Sequence, residues 1–268
     1  MGERERHILG VSGGKDSSAL AVFMRDRIPQ MEYVFCDTQK ELPETYEYLD
    51  RLQVFLGKPI VRLNGARGFD HWLEVYGGYL PSSRMRWCTK MLKIKPFEEY
   101  VGDEPVLSYI GIRADEDRDG YISSKPNIKP VYPLREAGIR EPDVYRILED
   151  AGLGLPKYYA WRTRSGCYFC FFQRKAEWIG LKENHPELFE AAKRYEKTDE
   201  TTGVRYTWSQ AESLVELERP DRIEQIKGRH EKVMETKQKD QKGARLFQIL
   251  SETLNEDDDT EPCLICNL

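Results

Sequence analysis

The sequence predicts an α/β fold: a five-stranded, mostly parallel sheet followed by a C-terminal helical region. Three observations lead there. Short apolar runs near residues 7, 32, 59, 106 and 128 read as strands. The segments between them are long enough for the helical crossovers that make neighbouring strands parallel. Beyond Gly166 the short apolar runs give way to long charged segments that read as helices. A chain of 268 residues accommodates one such domain plus an appendage. The expected organisation is an α/β domain over 1–165, a helical region over 166–254, and an acidic tail over 255–268 ending in Cys263-Leu264-Ile265-Cys266.

The first element carries the most information. His7 to Val11 reads as a buried strand, and Ser12-Gly13-Gly14-Lys15-Asp16-Ser17-Ser18 leads from it into an apolar-periodic helix. Backbone N–H groups at a helix start point outward with the positive end of the dipole, and Lys15 adds a full charge. The hydroxyls of Ser12, Ser17 and Ser18 supply further donors, so the stretch reads as a phosphate cradle. It is not a Walker A loop, because Leu9 stands where the first glycine belongs and Asp16 follows the lysine. Nor do Gly10, Gly13 and Gly14 have the dinucleotide spacing.

The helix from Ala19 is expected to stop before Pro29. Tyr33 to Asp37 follows as a strand, and Asp37 and Thr38 then face the crevice at the carboxyl ends of the sheet. Pro43 suits the first turn of a helix over Glu44 to Leu56. Pro59 to Leu63 reads as the third strand and Val106 to Ile112 as the fourth, running into Arg113. Helices are expected at Gln173 to Lys182, Pro186 to Lys197, Ser209 to Leu217 and Asp221 to Leu254.

Composition narrows the function. No run of 18 apolar residues is present, and Met1 to Arg6 holds no apolar signal core, so a cytoplasmic protein without membrane contact is expected. A net charge of −5 is not that of a nucleic-acid binder as a whole. Local basic clusters remain, with Arg84 and Arg86 in one and Arg162 and Arg164 in another; each reads either as a phosphate-backbone contact or as a solvated face. Six cysteines in such a chain point to metal or redox chemistry rather than a disulfide scaffold. Cys36 lies mid-strand, where a packed thiol is ordinary. Cys167-Tyr168-Phe169-Cys170 has the spacing for a metal pair, a redox pair or two packed thiols, and Cys88 stands apart.

Ser-Gly-Gly-Lys-Asp-Ser after a strand resembles the PP-loop of ATP pyrophosphatases. Asp37-Thr38, Leu42-Pro43-Glu44-Thr45-Tyr46, Gly111-Ile112-Arg113 and Tyr132-Pro133-Leu134 resemble, in order, the motifs of the phosphoadenosine phosphosulfate reductase family. The resemblance implies an adenine nucleotide α-hydrolase-like (Rossmann-like) fold that binds ATP with Mg²⁺, with Lys15 and Asp16 catalytic. It further implies Ser12, Gly13, Gly14, Ser17, Ser18, Asp37, Thr38 and Arg113 as nucleotide contacts. In iron-sulfur members a cysteine pair precedes the C-x-x-C by about 80 residues, as Cys88 does here, although Trp87 replaces one member of the pair. That implies a four-iron, four-sulfur cluster, or Zn²⁺, on Cys88, Cys167 and Cys170, with Cys263 or Cys266 as candidate fourth ligand.

Arg86-Trp87-Cys88-Thr89-Lys90, Ser165 to Phe171 and Pro186-Glu187-Leu188-Phe189 are similar to the DndC/SspD branch, which serves DNA backbone phosphorothioation. What that implies is an ATP pyrophosphatase that adenylates an oxygen acceptor for replacement by sulfur, with a cysteine desulfurase as partner. DNA is the expected acceptor, and tRNA or a small molecule stays open. Two alternatives stand beside it: a phosphoadenosine phosphosulfate or adenosine phosphosulfate reductase, and a metal-stapled adapter that binds nucleotide without turnover.

Overall fold

The structure, a computed structural model, describes residues 5–118, 123, 125–209 and 212–240, with side chains to residue 232. Residues 5–79 and 85–168 form one compact unit, and residues 80–84 and 169–240 belong to a second. The expected helix beyond residue 240 and the tail with Cys263 and Cys266 lie outside the described residues.

In chain order the first unit runs β1 (Arg6–Gly10), α1 (Lys15–Met24), β2 (Glu32–Cys36), α2 (Pro43–Leu56), β3 (Ile60–Leu63) and α3 (Phe69–Val75). Then α4 (Trp87–Thr89) passes through a π-helical turn at Lys90–Ile94 into α5 (Lys95–Val101). β4 (Val106–Tyr109), β5 (Ile128–Val131), α6 (Pro133–Glu136) and α7 (Glu141–Asp150) follow, and a 3-10 turn covers Lys157–Ala160. The five strands form one sheet in the order β3-β2-β1-β4-β5. Every pairing is parallel, with Leu9 beside Tyr33 on one flank and Tyr109 on the other.

Alternation along the strands sorts their side chains to two faces. Leu9, Tyr33 and Phe35 pack with Leu20 of α1, Leu49 and Leu52 of α2, and Val144 and Leu148 of α7. Ile8, Val34 and Cys36 point the other way, onto Phe97 and Val101 of α5. Both faces are covered, which is why the strands read as apolar runs rather than as half-polar ones. β2 and β4 leave β1 on opposite sides, so their loops diverge at its carboxyl end and open the crevice that this topology reserves for ligands.

The second unit contains α8 (Lys175–Asn184), α9 (Pro186–Lys193), β6 (Lys197–Thr198), β7 (Arg205–Tyr206), α10 (Leu214–Leu217) and α11 (Pro220–Asp240). Between the helices expected to end at Lys197 and to begin at Ser209, β6 and β7 pair antiparallel. Phe169 stacks on Trp208 at 4.8 Å between ring centroids, and the Trp208 indole N–H donates to the Ala192 carbonyl at 2.9 Å. No helix among the described residues is long and apolar enough to cross a membrane.

Candidate nucleotide site

The loop between β1 and α1 is shaped by its two glycines. Gly13 has φ +72°, a left-handed conformation, and a Cβ there would lie 2.7 Å from Thr45 Cγ2. A Cβ on Gly14 would lie 2.8 Å from Ser165 Oγ. Gly111, just past β4, leaves room for the start of α1, where a Cβ would approach the Ser17 nitrogen at 3.0 Å. The chain therefore passes close over the helix N-terminus on two sides.

Within the loop, Ser17 Oγ accepts from the Ser12 N–H at 3.1 Å and donates to the Gly14 carbonyl at 3.3 Å. Ser17 is 1% exposed and Ser18 fully buried, so the reading of both as phosphate donors needs correcting: Ser17 braces the turn, and Ser18 faces the core. Ser12 is also buried, its hydroxyl 3.1 Å from both Ser17 Oγ and Ser165 Oγ.

The charged groups of the loop converge. Lys15 Nζ lies 3.0 Å from Asp16 Oδ2, and Arg113 Nη1 lies 2.8 Å from Asp16 Oδ1. Glu141 Oε1 at the start of α7 is 3.2 Å from Lys15 Nζ, and Asp115 Oδ1 is 2.9 Å from Arg113 Nε. Burial opposes the Arg113 charge, and the Asp16, Glu116 and Asp115 carboxylates more than offset it, so its pKa stands above the usual arginine value. With Lys15 and Arg113 on its carboxylate, Asp16 bridges two cations. The loop geometry fits a polyphosphate: a helix N-terminus, side-chain-free glycines and two cations lie together.

Three partners of this loop were not legible in the sequence. The Tyr158 hydroxyl donates to the Gly13 carbonyl at 2.8 Å, the Tyr159 hydroxyl accepts from the Lys15 N–H at 3.0 Å, and Ser165 reaches Ser12. They arrive from more than 140 residues downstream, and no local periodicity announces them.

At the end of β2, Asp37 Oδ1 accepts from the Gln39 N–H and the Tyr46 hydroxyl, both at 2.8 Å. Thr38 turns inward. It is 3% exposed, and its hydroxyl donates to Glu41 Oε1 at 3.0 Å and lies 3.1 Å from Cys167 Sγ.

Among the described residues Cys36, Cys88, Cys167 and Cys170 form no disulfide with one another. Burial raises the Cys36 thiol to about 12, as befits a packed core residue. Among the described residues no three His, Cys, Asp or Glu side chains come together in a set able to hold a metal ion. The Cys167 thiol lies 3.1 Å from Thr38 Oγ1 and 3.7 Å from Glu41 Oε1. Cys263 and Cys266 lie outside the described residues.

Of the arginines expected to meet a nucleic acid, Arg84 is exposed and Arg86 and Arg164 are half-buried. Arg162 is excluded. It is 1% exposed and donates to the carbonyls of Gly166 and Cys167 at 3.0 and 2.9 Å.

Residues 6–136 match the family model of the phosphoadenosine phosphosulfate reductase domain. The match spans the five strands and the loop after β1, the part of the chain that carries the PP-loop and reductase-like motifs. An uncharacterized protein of Methanocaldococcus jannaschii is 28% identical over 248 residues, covering 85% of this chain and 55% of that protein. The tRNA-specific 2-thiouridylase MnmA of Haemophilus ducreyi is 26% identical over 191 residues, covering 56% of this chain and 48% of the enzyme. The chain thus spans about half the length of these curated relatives. A crystal structure of phosphoadenylyl-sulfate reductase from Candida auris in phosphate complex aligns with a TM-score of 0.47 at 13% identity, over 61% of this chain and 82% of that one.

Proposed function

We propose that the protein is an ATP pyrophosphatase that activates an oxygen for replacement by sulfur, with the phosphodiester backbone of DNA as acceptor and a cysteine desulfurase as sulfur source. The observation that carries the reading is the convergence of Lys15 and Arg113 on Asp16 at the glycine-lined start of α1. The similarity to a 2-thiouridylase supports sulfur chemistry, and the DndC/SspD-like motifs support DNA as the acceptor.

In this reaction an acceptor oxygen attacks the α-phosphorus of MgATP. The new O–P bond forms as the bond to the bridging oxygen breaks, and pyrophosphate departs with the magnesium. Negative charge builds on that leaving group, where the side chains of Lys15 and Arg113 would stabilise it. Because Asp16 holds both cations before substrate arrives, little reorganisation is left for the transition state. A sulfur nucleophile then displaces AMP.

The reductase-domain match favours a second reading, reduction of phosphoadenosine phosphosulfate. The two are separated by offering each substrate in turn. Release of AMP and pyrophosphate from ATP, dependent on Lys15 and stimulated by DNA, is expected. Sulfite release from phosphoadenosine phosphosulfate without pyrophosphate formation from ATP would overturn the proposal, and stimulation by tRNA rather than DNA would replace the acceptor.

A further inference from the structure

A cavity of about 260 Å³ opens beyond the carboxyl end of β3, and no residue placed in the phosphate chemistry lines it. Parallel pairing puts the carboxyl ends of β1, β2 and β3 on one edge of the sheet. The cavity shares that edge with the glycine loop, two strands over, or about 10 Å across the sheet.

Two walls form it. One is the turn after β3, with Arg67, continued by Trp72 of α3. The other is the π-helical turn and α5, where Met91, Lys95 and Glu99 recur at four-residue spacing and so share a side. The first turn of α3 fixes that helix in place. Phe69 is 1% exposed and packs on Trp87 at 5.0 Å between ring centroids, and Lys40 Nζ reaches Asp70 Oδ2 at 2.9 Å. Trp72, three residues on, is half-buried.

The lining divides by chemistry. Trp72, Met91 and Pro96 offer apolar surface, whereas Arg67 and Lys95 are exposed cations. Arg67 Nη1 donates to His71 Nε2 at 2.9 Å, which anchors one arm of its fork. Lys95 Nζ is 3.9 Å from Glu99 Oε1, both side chains more than half exposed, so the pair is loose. An aromatic face beside cations is the combination that holds a nucleotide: the base stacks and the phosphate meets the charges. The volume falls just under the range of roughly 300–1,000 Å³ that encloses a whole small-molecule ligand, as suits one unit of a longer chain. Charge points the same way. Two cations against one carboxylate leave a single positive charge, which matches a phosphodiester better than a terminal phosphate carrying about two negative ones.

We infer that this cavity takes one unpaired nucleotide of the acceptor strand, its base on Trp72 and its phosphodiester at Arg67 and Lys95. The inference rests on DNA as the acceptor and adds where the strand is held. A nucleotide drawn out of its stack here lays the neighbouring backbone along the sheet edge that carries the glycine loop.

The probe is an oligothymidylate with one thymine replaced by iodouracil, added to the intact protein without ATP. Irradiation links iodouracil to an aromatic ring stacked on it, and mass spectrometry locates the link among the five tryptophans. Trp72 is expected to carry it. Trp72→Leu is expected to weaken binding about fivefold or more, and Trp72→Phe to keep most of the affinity. Arg67→Gln and Lys95→Gln, at exposed positions, are each expected to lower the salt slope by about 0.7, the single-strand value per phosphate contact, and to retain the link.

A link at another tryptophan, or equal affinity in wild type and Trp72→Leu, would overturn the assignment. So would thymidine monophosphate that displaces the strand as readily as unlabelled oligothymidylate does, because the cavity would then be a free-nucleotide site. A protein that forms the Trp72 link but releases no pyrophosphate from ATP would keep this inference and lose the activation reading. Pyrophosphate release without strand binding would do the reverse.

Discussion

Arg113, just beyond the end of β4, reaches Asp16 in the first turn of α1 at 2.8 Å, tying together two elements that flank the same crevice. Lys15 takes the other oxygen of that carboxylate, so the two cations are spaced by a single acid. Removing either cation by Lys15→Ala or Arg113→Ala is expected to lower kcat/KM for pyrophosphate release about a hundredfold or more. Asp16→Ala is expected to cost a similar factor by releasing both. Steady-state assays on the three variants check this, and a loss confined to one of them would separate the cations from a common role.

Gly13 should be the least replaceable residue of the loop. Gly13→Ala meets two penalties, a left-handed φ and the Thr45 methyl at 2.7 Å, and is expected to cost about 2–4 kcal/mol in urea unfolding. Gly57→Ala is the control. Its φ is +65° but nothing lies within 4 Å of the added Cβ, so about 1 kcal/mol is expected there.

Arg162 and Arg84 should part company. Arg162→Ala removes a buried guanidinium from two carbonyls and is expected to destabilise by about 2–3 kcal/mol. Arg84 is exposed, and Arg84→Ala is expected to stay within about 0.5 kcal/mol of wild type. If Arg84 meets a phosphate, the same change lowers the salt slope of DNA binding by about one. Titrations at several salt concentrations measure it.

In the second unit, Glu212 is held at about 2 by its hydrogen bonds from Arg222, with Lys175 adding to the effect. A folded-state value below the unfolded one contributes stability above the ordinary glutamate range, and that contribution is lost as pH falls toward 2. Solvent screening limits it to about 1 kcal/mol. Melting curves between pH 5 and pH 2 should therefore fall less steeply in Glu212→Gln than in wild type.

Much of this architecture could be read from the sequence because the informative residues are local. β1, its glycine loop and α1 are contiguous, and Pro43 fixes the first turn of α2. The stretch between Leu63 and Val106 was not legible as helix. Gly77-Gly78 and Pro81 interrupt it, and the π-helical turn at Lys90–Ile94 shifts the helical period midway. The hairpin of β6 and β7 has two residues in each strand, too few for alternation to register. At the site, Lys15, Asp16 and Arg113 carry local motifs, whereas Tyr158, Tyr159 and Ser165 carry no local signal, since only tertiary folding returns them to the loop. Thr38 was assigned to the nucleotide because it ends a strand, but the buried Glu41 turns its hydroxyl the other way.

The most direct test of the central claim is product analysis of α-labelled and γ-labelled ATP incubated with the protein, Mg²⁺, DNA and a sulfide donor that displaces AMP. Label is expected to appear in AMP and in pyrophosphate in equal amounts, and in neither with Lys15→Ala. Formation of ADP and inorganic phosphate, or AMP formation that persists in Lys15→Ala, would contradict the account.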